Sequence, residues 1–212
     1  MKYPAARLLI MSKAPDPGRV KTRLIPLLGA SAAAELYAGL VHSCLEMSTA
    51  AGLCPVELWC SPTTTHPFFQ RCQADFPVSL HCQLPGDLGE RMSGALQSAL
   101  QRARHTILIG ADCPALTAAD LGEALELLAQ GTDTVLGPAA DGGYYLIGMN
   151  SHHGFLFEDM PWSTGSVLLL TEQRLRQHGL QWQRLATRLD LDTPDDYRAC
   201  MATIPAPVVT SQ

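Results

Sequence analysis

Two separate segments of this sequence contain carboxylates in positions that suit metal binding. The stretch ILIGADCP at 107–114 is an apolar run followed by Asp112, and the segment LDLDTPDD at 189–196 contains Asp190 and Asp192. The apolar run predicts a buried strand, and in an open α/β sheet ligands bind at the carboxyl ends of the strands. Carboxylates gathered at strand ends are what a hard cation such as Mg²⁺ requires. The alternative role for Asp112 is to cap the turn that follows it.

Cations concentrate in the segment KAPDPGRVKTRL at 13–24, although the chain has a net charge of −5. The segment holds Lys13, Arg19, Lys21 and Arg23. Lys21 and Arg23 are two positions apart, so an extended chain would point both to one side. Lysine binds phosphate oxygens as a point charge and arginine as a bidentate fork. The segment therefore predicts a phosphate-binding loop, with a solvated basic loop as the alternative.

Several function classes are disfavoured by what the sequence lacks. A P-loop needs a glycine directly before its lysine, and Val20 stands before Lys21. The pattern G-x-G-x-x-G is also missing, which argues against a dinucleotide-dependent oxidoreductase. The negative net charge argues against nucleic acid or an anionic membrane as the main partner. No apolar run approaches the roughly 20 residues that a membrane span needs.

The segment GDLGERM at 86–92 is expected to be a turn that enters a helix. Asp87 is a suitable N-cap, and Glu90 three residues later completes a capping-box pattern. The same glycines and acids, together with Arg91, are also suited to line the ribose and base of a nucleotide. The segment alone does not decide between these two roles.

A further acidic residue, Asp141, lies inside the segment VLGPAADGGYYLIG at 135–148. The two glycines that follow it create a D-G dipeptide, which is a strong signal for a β-hairpin. Further along, Trp162, Ser163 and Thr164 combine an aromatic ring with two hydroxyls, which suits contact with an acceptor molecule. A simple hairpin turn and a packed aromatic followed by a helix cap would also explain these two segments.

The composition indicates a globular protein with reduced thiols. The chain has 212 residues and is 47% hydrophobic and 17% charged, which allows one domain with a sizeable core. Its seven cysteines form no C-x-x-C pair, and Arg7 interrupts the apolar stretch that a signal peptide would need. We therefore expect a cytoplasmic protein. Cys113 is a candidate nucleophile, but a role as a small core residue is favoured. No feature indicates an oligomeric state.

Apolar strand-like runs alternate with helical patterns along the chain. Strands are expected at 7–12, 56–60, 78–83, 106–111 and 181–186, with two more around the turn at Asp141. Helices are expected at 31–50, 88–103, 117–130, 164–178 and 194–202, with Ser31 capping the first of them. This alternation predicts a mainly parallel sheet covered on both faces. A single domain is expected over 1–203, followed by a flexible tail at 204–212.

The chain resembles one known family in six segments that keep the same order over residues 11–197: K-A-P-x-P-G-x-V-K-T-R-L, G-D-L-G-E-R-M, G-A-D-C-P, G-P-A-x-D-G-G-Y-Y-L-I-G, W-S-T and D-L-D-T-P-D-D. The family is the DUF2064 group of GT-A-type transferases, also described as glycosyltransferase-like proteins associated with radical-SAM gene clusters. It is more distantly similar to the guanylyltransferases of coenzyme F420 synthesis and to molybdopterin nucleotidyltransferases. The resemblance implies an α/β protein with a three-layer, Rossmann-like GT-A fold, which is the nucleotide-diphospho-sugar transferase fold.

The resemblance also implies roles for individual residues. Asp112 matches the metal-binding aspartate, with Mg²⁺ or Mn²⁺ as the cofactor and either Asp190 or Asp192 as the second ligand. The implied nucleotide-binding residues are Lys13, Gly18, Lys21, Arg23, Gly86, Asp87 and Glu90. The implied acceptor-binding residues are Asp141, Gly142, Gly143, Trp162, Ser163 and Thr164. The residues expected to take part in catalysis are Lys21, Arg23, Asp112 and Asp141.

Two departures from related patterns leave the reaction open. Gly110 stands where glycosyltransferases of this fold carry the first aspartate of Asp-x-Asp, and the loop PDPGRVKTR replaces the G-x-G-x-R of sugar nucleotidyltransferases. We expect a divalent-metal-dependent glycosyltransferase that acts on a nucleotide-sugar donor and a small-molecule acceptor. The alternative is a nucleotidyltransferase that moves NMP from an NTP to a small phosphorylated acceptor and releases pyrophosphate. The third hypothesis is a non-catalytic nucleotide-binding module.

Overall fold

The computed structural model describes residues 1–203, and in that range seven strands form one sheet accompanied by seven helices. The strands are β1 (Ala6–Lys13), β2 (Val56–Ser61), β3 (Val78–Cys82), β4 (His105–Gly110), β5 (Thr134–Pro138), β6 (Tyr144–Met149) and β7 (Trp182–Arg184). The helices are α1 (Ile25–Leu28), α2 (Ala30–Ala50), α3 (Pro67–Asp75), α4 (Leu88–Leu100), α5 (Ala118–Ala129), α6 (Val167–Gln177) and α7 (Pro194–Thr203). The predicted tail at 204–212 lies outside the described residues.

The sheet is mainly parallel, as the sequence predicts. Its strand order is β3-β2-β1-β4-β6-β5-β7. β6 is the exception, because it pairs antiparallel with both β4 and β5. β5 and β6 form the hairpin expected around Asp141, which reverses the chain between them.

Each face of the sheet has its own apolar core, because successive side chains of a strand point to opposite faces. On β1, Leu8 and Ile10 belong to one core cluster, whereas Leu9 belongs to the other. The first cluster includes residues of α2, α3 and α5, and the second includes residues of α4 and α6. The structure is therefore a three-layer α/β fold with helices on both faces of the sheet.

The chain changes direction across the sheet next to β1. It leaves β1 toward β2 and β3 on one side, then returns to β4 on the other side. β1 and β4 are parallel neighbours, and the chain segments that follow them run to opposite sides of the sheet. Such a pair of strands leaves a crevice between their carboxyl ends. The fold therefore predicts a ligand site between the ends of β1 and β4.

The basic segment after β1 is bent and not extended. Lys21 has φ 45° and ψ 43°, in the left-handed region, and Thr22–Leu24 form a 3-10 turn. Val20 and Leu24, on either side of the bend, are both buried. Val20 belongs to the core cluster that includes α2, whereas Leu24 packs with Ala33 and Leu191. This burial offsets the strain of a positive φ at Lys21.

The predicted cap at Ser31 is wrong. The short helix α1 ends at Gly29, whose φ of 81° lets the chain turn directly into α2. α2 begins at Ala30, so Ser31 lies inside its first turn, and Gly29 makes no side-chain cap. Helix α4, by contrast, begins with the capping box expected from the sequence.

Candidate functional site

A cavity of about 520 Å³ opens at the carboxyl ends of β1 and β4. Its basic lining residues are Lys13, Arg19, Lys21, Arg23 and Arg91. Lys13 ends β1, while Arg19, Lys21 and Arg23 follow it, and Arg91 comes from the first turn of α4. Five cations facing one cavity favour a ligand with several negative charges, such as a chain of phosphates. We call this space the cationic cavity.

Two of these cations are paired with carboxylates that were predicted to bind metal. The Lys21 side chain is only 3% exposed, and its Nζ lies 3.1 Å from Oδ2 of Asp112 and 3.5 Å from Oδ1 of Asp192. Arg23 Nη1 lies 2.6 Å from Oδ2 of Asp192. Residues that are distant in sequence are therefore brought together, and Lys21 and Arg23 partly neutralise the acidic cluster.

The other three cations face the cavity without such partners. Lys13 and Arg19 are exposed, and neither forms an ion pair within residues 1–203. Arg91 donates from its Nε to the carbonyl oxygen of Gly86 at 2.9 Å, which orients the guanidinium group. These three residues are consequently the cations most available to an anionic ligand.

Main-chain hydrogen bonds hold the acidic segment against the end of β4. The Arg188 amide donates to the carbonyl oxygen of Pro138 at 3.0 Å, and the Leu191 amide donates to the carbonyl oxygen of Asp112 at 2.9 Å. The Arg188 guanidinium lies 2.7 Å from Oδ1 of Asp120. These contacts attach the acidic segment to β5, α5 and β4 at once. They bring Asp190 to the end of the sheet beside Asp112.

Asp190 is the carboxylate that most needs a cation. Its Oδ1 is buried and has no hydrogen-bond partner within residues 1–203. Burial, and next the negative charges of Asp112 and Asp141, raise the pKa of the Asp190 carboxyl to about 7. A bound cation would favour its ionised form. Of the two second ligands left open by the sequence, Asp190 is therefore better suited than Asp192, which already pairs with Lys21 and Arg23.

Gly110, which stands where related enzymes carry an aspartate, lies directly beneath the Asp112 carboxylate. A Cβ built at Gly110 would lie 2.6 Å from Oδ1 of Asp112. The Asp112 carboxylate thus folds back over the position that a side chain at 110 would occupy. Asp190 lies beside Asp112 and offers the second carboxylate from another part of the chain.

A smaller cavity of about 250 Å³ opens on the other side of the carboxylates. Its acidic lining residues are Asp112, Asp141, Asp190 and Asp192. Tyr144, Trp162, Ser163, Thr164 and Gly143 line it as well. We call this space the acidic cavity. It shares Asp112, Asp190 and Asp192 with the cationic cavity, so the two spaces meet at the carboxylates.

The outer wall of the acidic cavity is built by two loops in close contact. Gly142 has φ 89°, and a Cβ there would lie only 2.2 Å from the carbonyl oxygen of Gly165. The Leu168 amide donates to the Gly142 carbonyl oxygen at 2.9 Å. Asp141 Oδ1 accepts a hydrogen bond from the Gly143 amide at 2.9 Å. Only glycine fits at 142, because the φ and the close approach both exclude a side chain.

Part of the predicted nucleotide-binding set has an evident structural role instead. Asp87 accepts from the Glu90 amide at 2.9 Å, and the Glu90 carboxylate accepts from the Asp87 amide at 2.8 Å. Both carboxylates are thus engaged in the capping box of α4. Gly18, Gly86, Asp87 and Glu90 do not line either cavity. Their predicted contact with a nucleotide stays a prediction.

The sequence analysis did not assign several residues that line the cationic cavity. They include Ser12, Tyr37, Gln83 and Tyr144. Gln83 donates to the carbonyl oxygens of Ser12 at 3.0 Å and Trp59 at 2.8 Å, which closes one side of the cavity. Tyr144 follows the Asp-Gly-Gly turn directly, so its position beside Asp141 was a usable signal. The others depend on long-range contacts.

The structure argues against Cys113 as a catalytic nucleophile. Burial raises the pKa of the Cys113 thiol to about 12, so the thiol stays protonated near neutral pH and is a poor nucleophile.

Within residues 1–203, no group of three or more His, Cys, Asp or Glu residues is arranged to hold a metal by itself. A two-carboxylate site still suits Mg²⁺, which keeps several waters and takes further oxygens from substrate phosphates. Among the helices of residues 1–203, none has the length and apolar character that a membrane crossing requires.

Comparison with known proteins places this geometry in a family and a fold. The model of a family described as "Uncharacterized protein conserved in bacteria (DUF2064)" matches residues 44–164. A crystal structure from Desulfovibrio desulfuricans G20, provisionally described as a nucleotide-diphospho-sugar transferase, is 30% identical to this chain. The alignment covers 97% of this chain and 90% of that chain, with a TM-score of 0.87. A search of curated proteins found no match.

Two more distant structures share the fold. One is a CMP:2-keto-3-deoxy-manno-octonic acid synthetase complexed with CTP, at 13% identity, with 93% of this chain and 98% of that chain covered and a TM-score of 0.58. The other is glucosyl-3-phosphoglycerate synthase from Mycobacterium tuberculosis, solved with Mn²⁺, UDP and glucosyl-3-phosphoglycerate. Its identity is 11%, its coverage 94% of this chain and 76% of that chain, and its TM-score 0.53. These likenesses confirm the predicted GT-A-type fold.

Proposed function

This chain belongs to the DUF2064 family, and from the geometry of its two cavities we propose that it is a divalent-metal-dependent transferase that uses a nucleotide-activated donor. The observation that carries the proposal is the junction of the cavities at Asp112 and Asp190. One side of this junction is lined by cations and the other by carboxylates and aromatic side chains. A transferase needs two adjoining sites of this kind, because donor and acceptor must meet at one reacting centre.

The donor phosphates fit the cationic cavity. Lys13 and Arg19 form no ion pair within residues 1–203, so they can bind phosphate oxygens without first breaking a contact. Lys21 lies deeper, between Asp112 and Asp192, where its ammonium can stabilise charge on the leaving phosphate. These positions support the phosphate-binding role expected for the basic segment.

A divalent cation fits the carboxylates at the junction. Asp112 and Asp190 would hold it, and the unpartnered Oδ1 of Asp190 is the observation that supports this assignment. When bound, Mg²⁺ or Mn²⁺ would neutralise charge that develops on the leaving phosphate. The glucosyl-3-phosphoglycerate synthase of the same fold was solved with Mn²⁺, which agrees with such a requirement.

Transfer of a glycosyl group from a nucleotide-sugar is the reaction that we favour. The sugar would lie at the junction, with its acceptor in the acidic cavity. Asp141 lines that cavity, and its carboxylate is suited to orient an acceptor hydroxyl and accept its proton. The relative from Desulfovibrio desulfuricans is provisionally described as a nucleotide-diphospho-sugar transferase, which supports this choice.

Nucleotidyl transfer from an NTP is the second candidate. It is favoured by the number of basic residues, because five cations line the cavity that would receive two phosphates in the first reaction and three in the second. The synthetase of the same fold that was solved with CTP uses a triphosphate ligand. The two reactions differ in the bond that breaks, so their products separate them.

The test is to incubate the protein with Mg²⁺ or Mn²⁺, a panel of small acceptors, and either nucleotide-sugars or NTPs. Glycosyl transfer releases a nucleoside diphosphate or monophosphate from a nucleotide-sugar. Pyrophosphate from an NTP, with nucleotide-sugars left intact, would establish the second candidate instead. Nucleotide binding without turnover of any donor would leave a non-catalytic binding module.

A further inference from the structure

The wall of the acidic cavity has a marked charge imbalance. Four carboxylates line it, and its lining within residues 1–203 includes no lysine, arginine or histidine. The cationic cavity next to it has five basic residues. A ligand group with negative charge is therefore drawn to one cavity and repelled by the other.

Asp141 is a carboxylate of this wall that has no cationic partner among residues 1–203. Lys21 and Arg23 pair with Asp112 and Asp192, and a divalent cation would add positive charge beside Asp112 and Asp190. Asp141 forms no ion pair within residues 1–203, and its Oδ1 accepts from the Gly143 amide. Donor phosphates at the junction would add more negative charge. An acceptor that carried a phosphate or carboxylate would meet repulsion from both sides.

The acidic cavity also offers a donor for a neutral oxygen. The Tyr144 hydroxyl is buried and has no hydrogen-bond partner within residues 1–203. Burial raises the pKa of the Tyr144 hydroxyl, so it remains a protonated donor. Tyr144 lines the cavity, and a buried donor without a partner indicates a ligand that supplies an acceptor atom.

The N-terminus of α6 is a feature on this side that would attract an anion. Val167, its first residue, lines the cavity. The next amide, that of Leu168, already donates to the Gly142 carbonyl oxygen at 2.9 Å. The Asp141 carboxylate stands on the same wall. The helix end therefore does not outweigh the carboxylates.

From these observations we propose that the acidic cavity binds an acceptor without phosphate or carboxylate: a small hydroxylated molecule, neutral or bearing an amine. This inference rests on the proposed transferase function and narrows its acceptor. The apolar side chains of Leu88, Met92 and Val167 provide a surface for the carbon skeleton. The cavity volume of about 250 Å³ limits its size, since sites for drug-sized ligands measure roughly 300–1,000 Å³.

The inference bears on the reaction as well. In nucleotidyl transfer to a phosphorylated acceptor, the acceptor phosphate attacks the donor and must enter the acidic cavity. In glycosyl transfer, a neutral hydroxyl attacks, and no negative group is required there. An acceptor without phosphate therefore favours glycosyl transfer over the second candidate.

Matched acceptor pairs test the proposal. Binding of glucose against glucose 6-phosphate, glycerol against glycerol 3-phosphate, and glucosamine against glucosamine 6-phosphate is measured by titration. Each titration is made with Mn²⁺ and saturating UDP or GDP already bound. We expect the unphosphorylated member of a pair to bind about tenfold or more tightly. Asp141→Asn should reduce that preference, and Thr164→Lys, which adds a cation at the exposed rim, should reduce it further.

The outcomes separate this inference from the function on which it rests. If Mn²⁺ and the nucleotide bind but the phosphorylated members bind equally or better, the acceptor inference is overturned and the transferase proposal stands. Failure of every pair to bind, with the nucleotide in place, overturns it as well. If neither Mn²⁺ nor a nucleotide binds, the proposed function itself fails. Tyr144→Phe gives a further check, because removal of its unpartnered hydroxyl should weaken acceptor binding.

Discussion

The cationic and acidic cavities share three aspartates yet are built in opposite ways. The cationic cavity is lined by long, mostly exposed side chains on a bend after β1. The acidic cavity is bounded by carboxylates, aromatic and apolar side chains, and its outer wall is formed by two loops that touch through Gly142 and Gly165. Flexible cations suit a charged donor whose phosphates can be reached from several positions, whereas a close-packed wall suits an acceptor that must be oriented. The difference indicates that positive charge selects the donor, whereas negative charge and a rigid wall select the acceptor.

Removing the junction carboxylate should have the largest effect. Asp112→Asn takes away a proposed metal ligand and leaves the Lys21 ammonium without its nearest partner. We expect Mn²⁺ affinity to fall more than about 100-fold, beyond the loss typical of residues that only support metal ligands. Metal binding by titration calorimetry measures this loss.

Asp195→Asn is the matched control for that variant. Asp195 belongs to the same acidic segment, but its side chain is 92% exposed and pairs with Arg198. The Asp195→Asn variant should bind Mn²⁺ with the same affinity as the unchanged protein. If Asp112→Asn unfolds at a lower temperature yet still binds Mn²⁺ normally, Asp112 has a structural role only.

The cationic cavity can be disrupted alone by replacing Arg19 and Arg91 with glutamine. Hydrogen bonds to charged groups contribute about 1.5–3 kcal/mol, so each replacement should weaken binding of UDP or GDP by roughly 10- to 100-fold. Binding of uridine or guanosine should change little, because these ligands carry no phosphate. Arg71→Gln, on an exposed position of α3, serves as the control. Equal losses for nucleotide and nucleoside would contradict the assignment of the phosphates.

The wall of the acidic cavity can be disrupted with Gly142→Ala. The added Cβ would meet the Gly165 carbonyl oxygen at 2.2 Å, at a φ of 89°. The free energy of unfolding should fall by about 1–3 kcal/mol. Gly122→Ala is the matched control, because nothing lies within 4 Å of its Cβ in the middle of α5. That change should stabilise the protein by up to about 1 kcal/mol. Denaturation curves that show no difference between the two variants would contradict the close contact.

The pH dependence of metal binding tests the junction with a smaller effect. Because the pKa of Asp190 is raised to about 7, its carboxyl is protonated in much of the population below that pH. Metal binding must displace this proton, so Mn²⁺ affinity should rise from pH 6 to 8, by at most about tenfold per pH unit. Asp190→Asn should remove this dependence together with much of the affinity. A flat profile in the unchanged protein would contradict Asp190 as a ligand.

Asp190 should also destabilise the metal-free fold. Its folded pKa is raised above the unfolded value, so the folded state binds the extra proton between roughly pH 4 and 7. The destabilisation therefore grows as pH rises through that range and is complete above it. Asp190→Asn should raise the melting temperature at pH 8 and change it little at pH 4. Equal changes at both values would exclude an electrostatic cause.

Local sequence patterns predicted those parts of the molecule that local physics determines. The D-G turn at Asp141 gave a hairpin, and Asp87 with Glu90 formed a capping box, because each pattern satisfies its own backbone within a few residues. The ion pair between Lys21 and Asp112 could not be predicted this way, since it joins residues 91 positions apart. The left-handed conformation of Lys21 could not be predicted either, because it accompanies the burial of Val20 and Leu24 in two different core clusters.

The central claim is that a divalent cation at Asp112 and Asp190 joins a phosphate-binding cavity to an acceptor cavity. The most direct measurement is a crystal structure with Mn²⁺ and UDP or GDP, using diffraction data collected at the manganese absorption edge. The account predicts an anomalous peak within about 2.5 Å of a carboxylate oxygen of each aspartate, with the diphosphate among Lys13, Arg19 and Arg91. Manganese bound elsewhere, or a diphosphate in the acidic cavity, would contradict it.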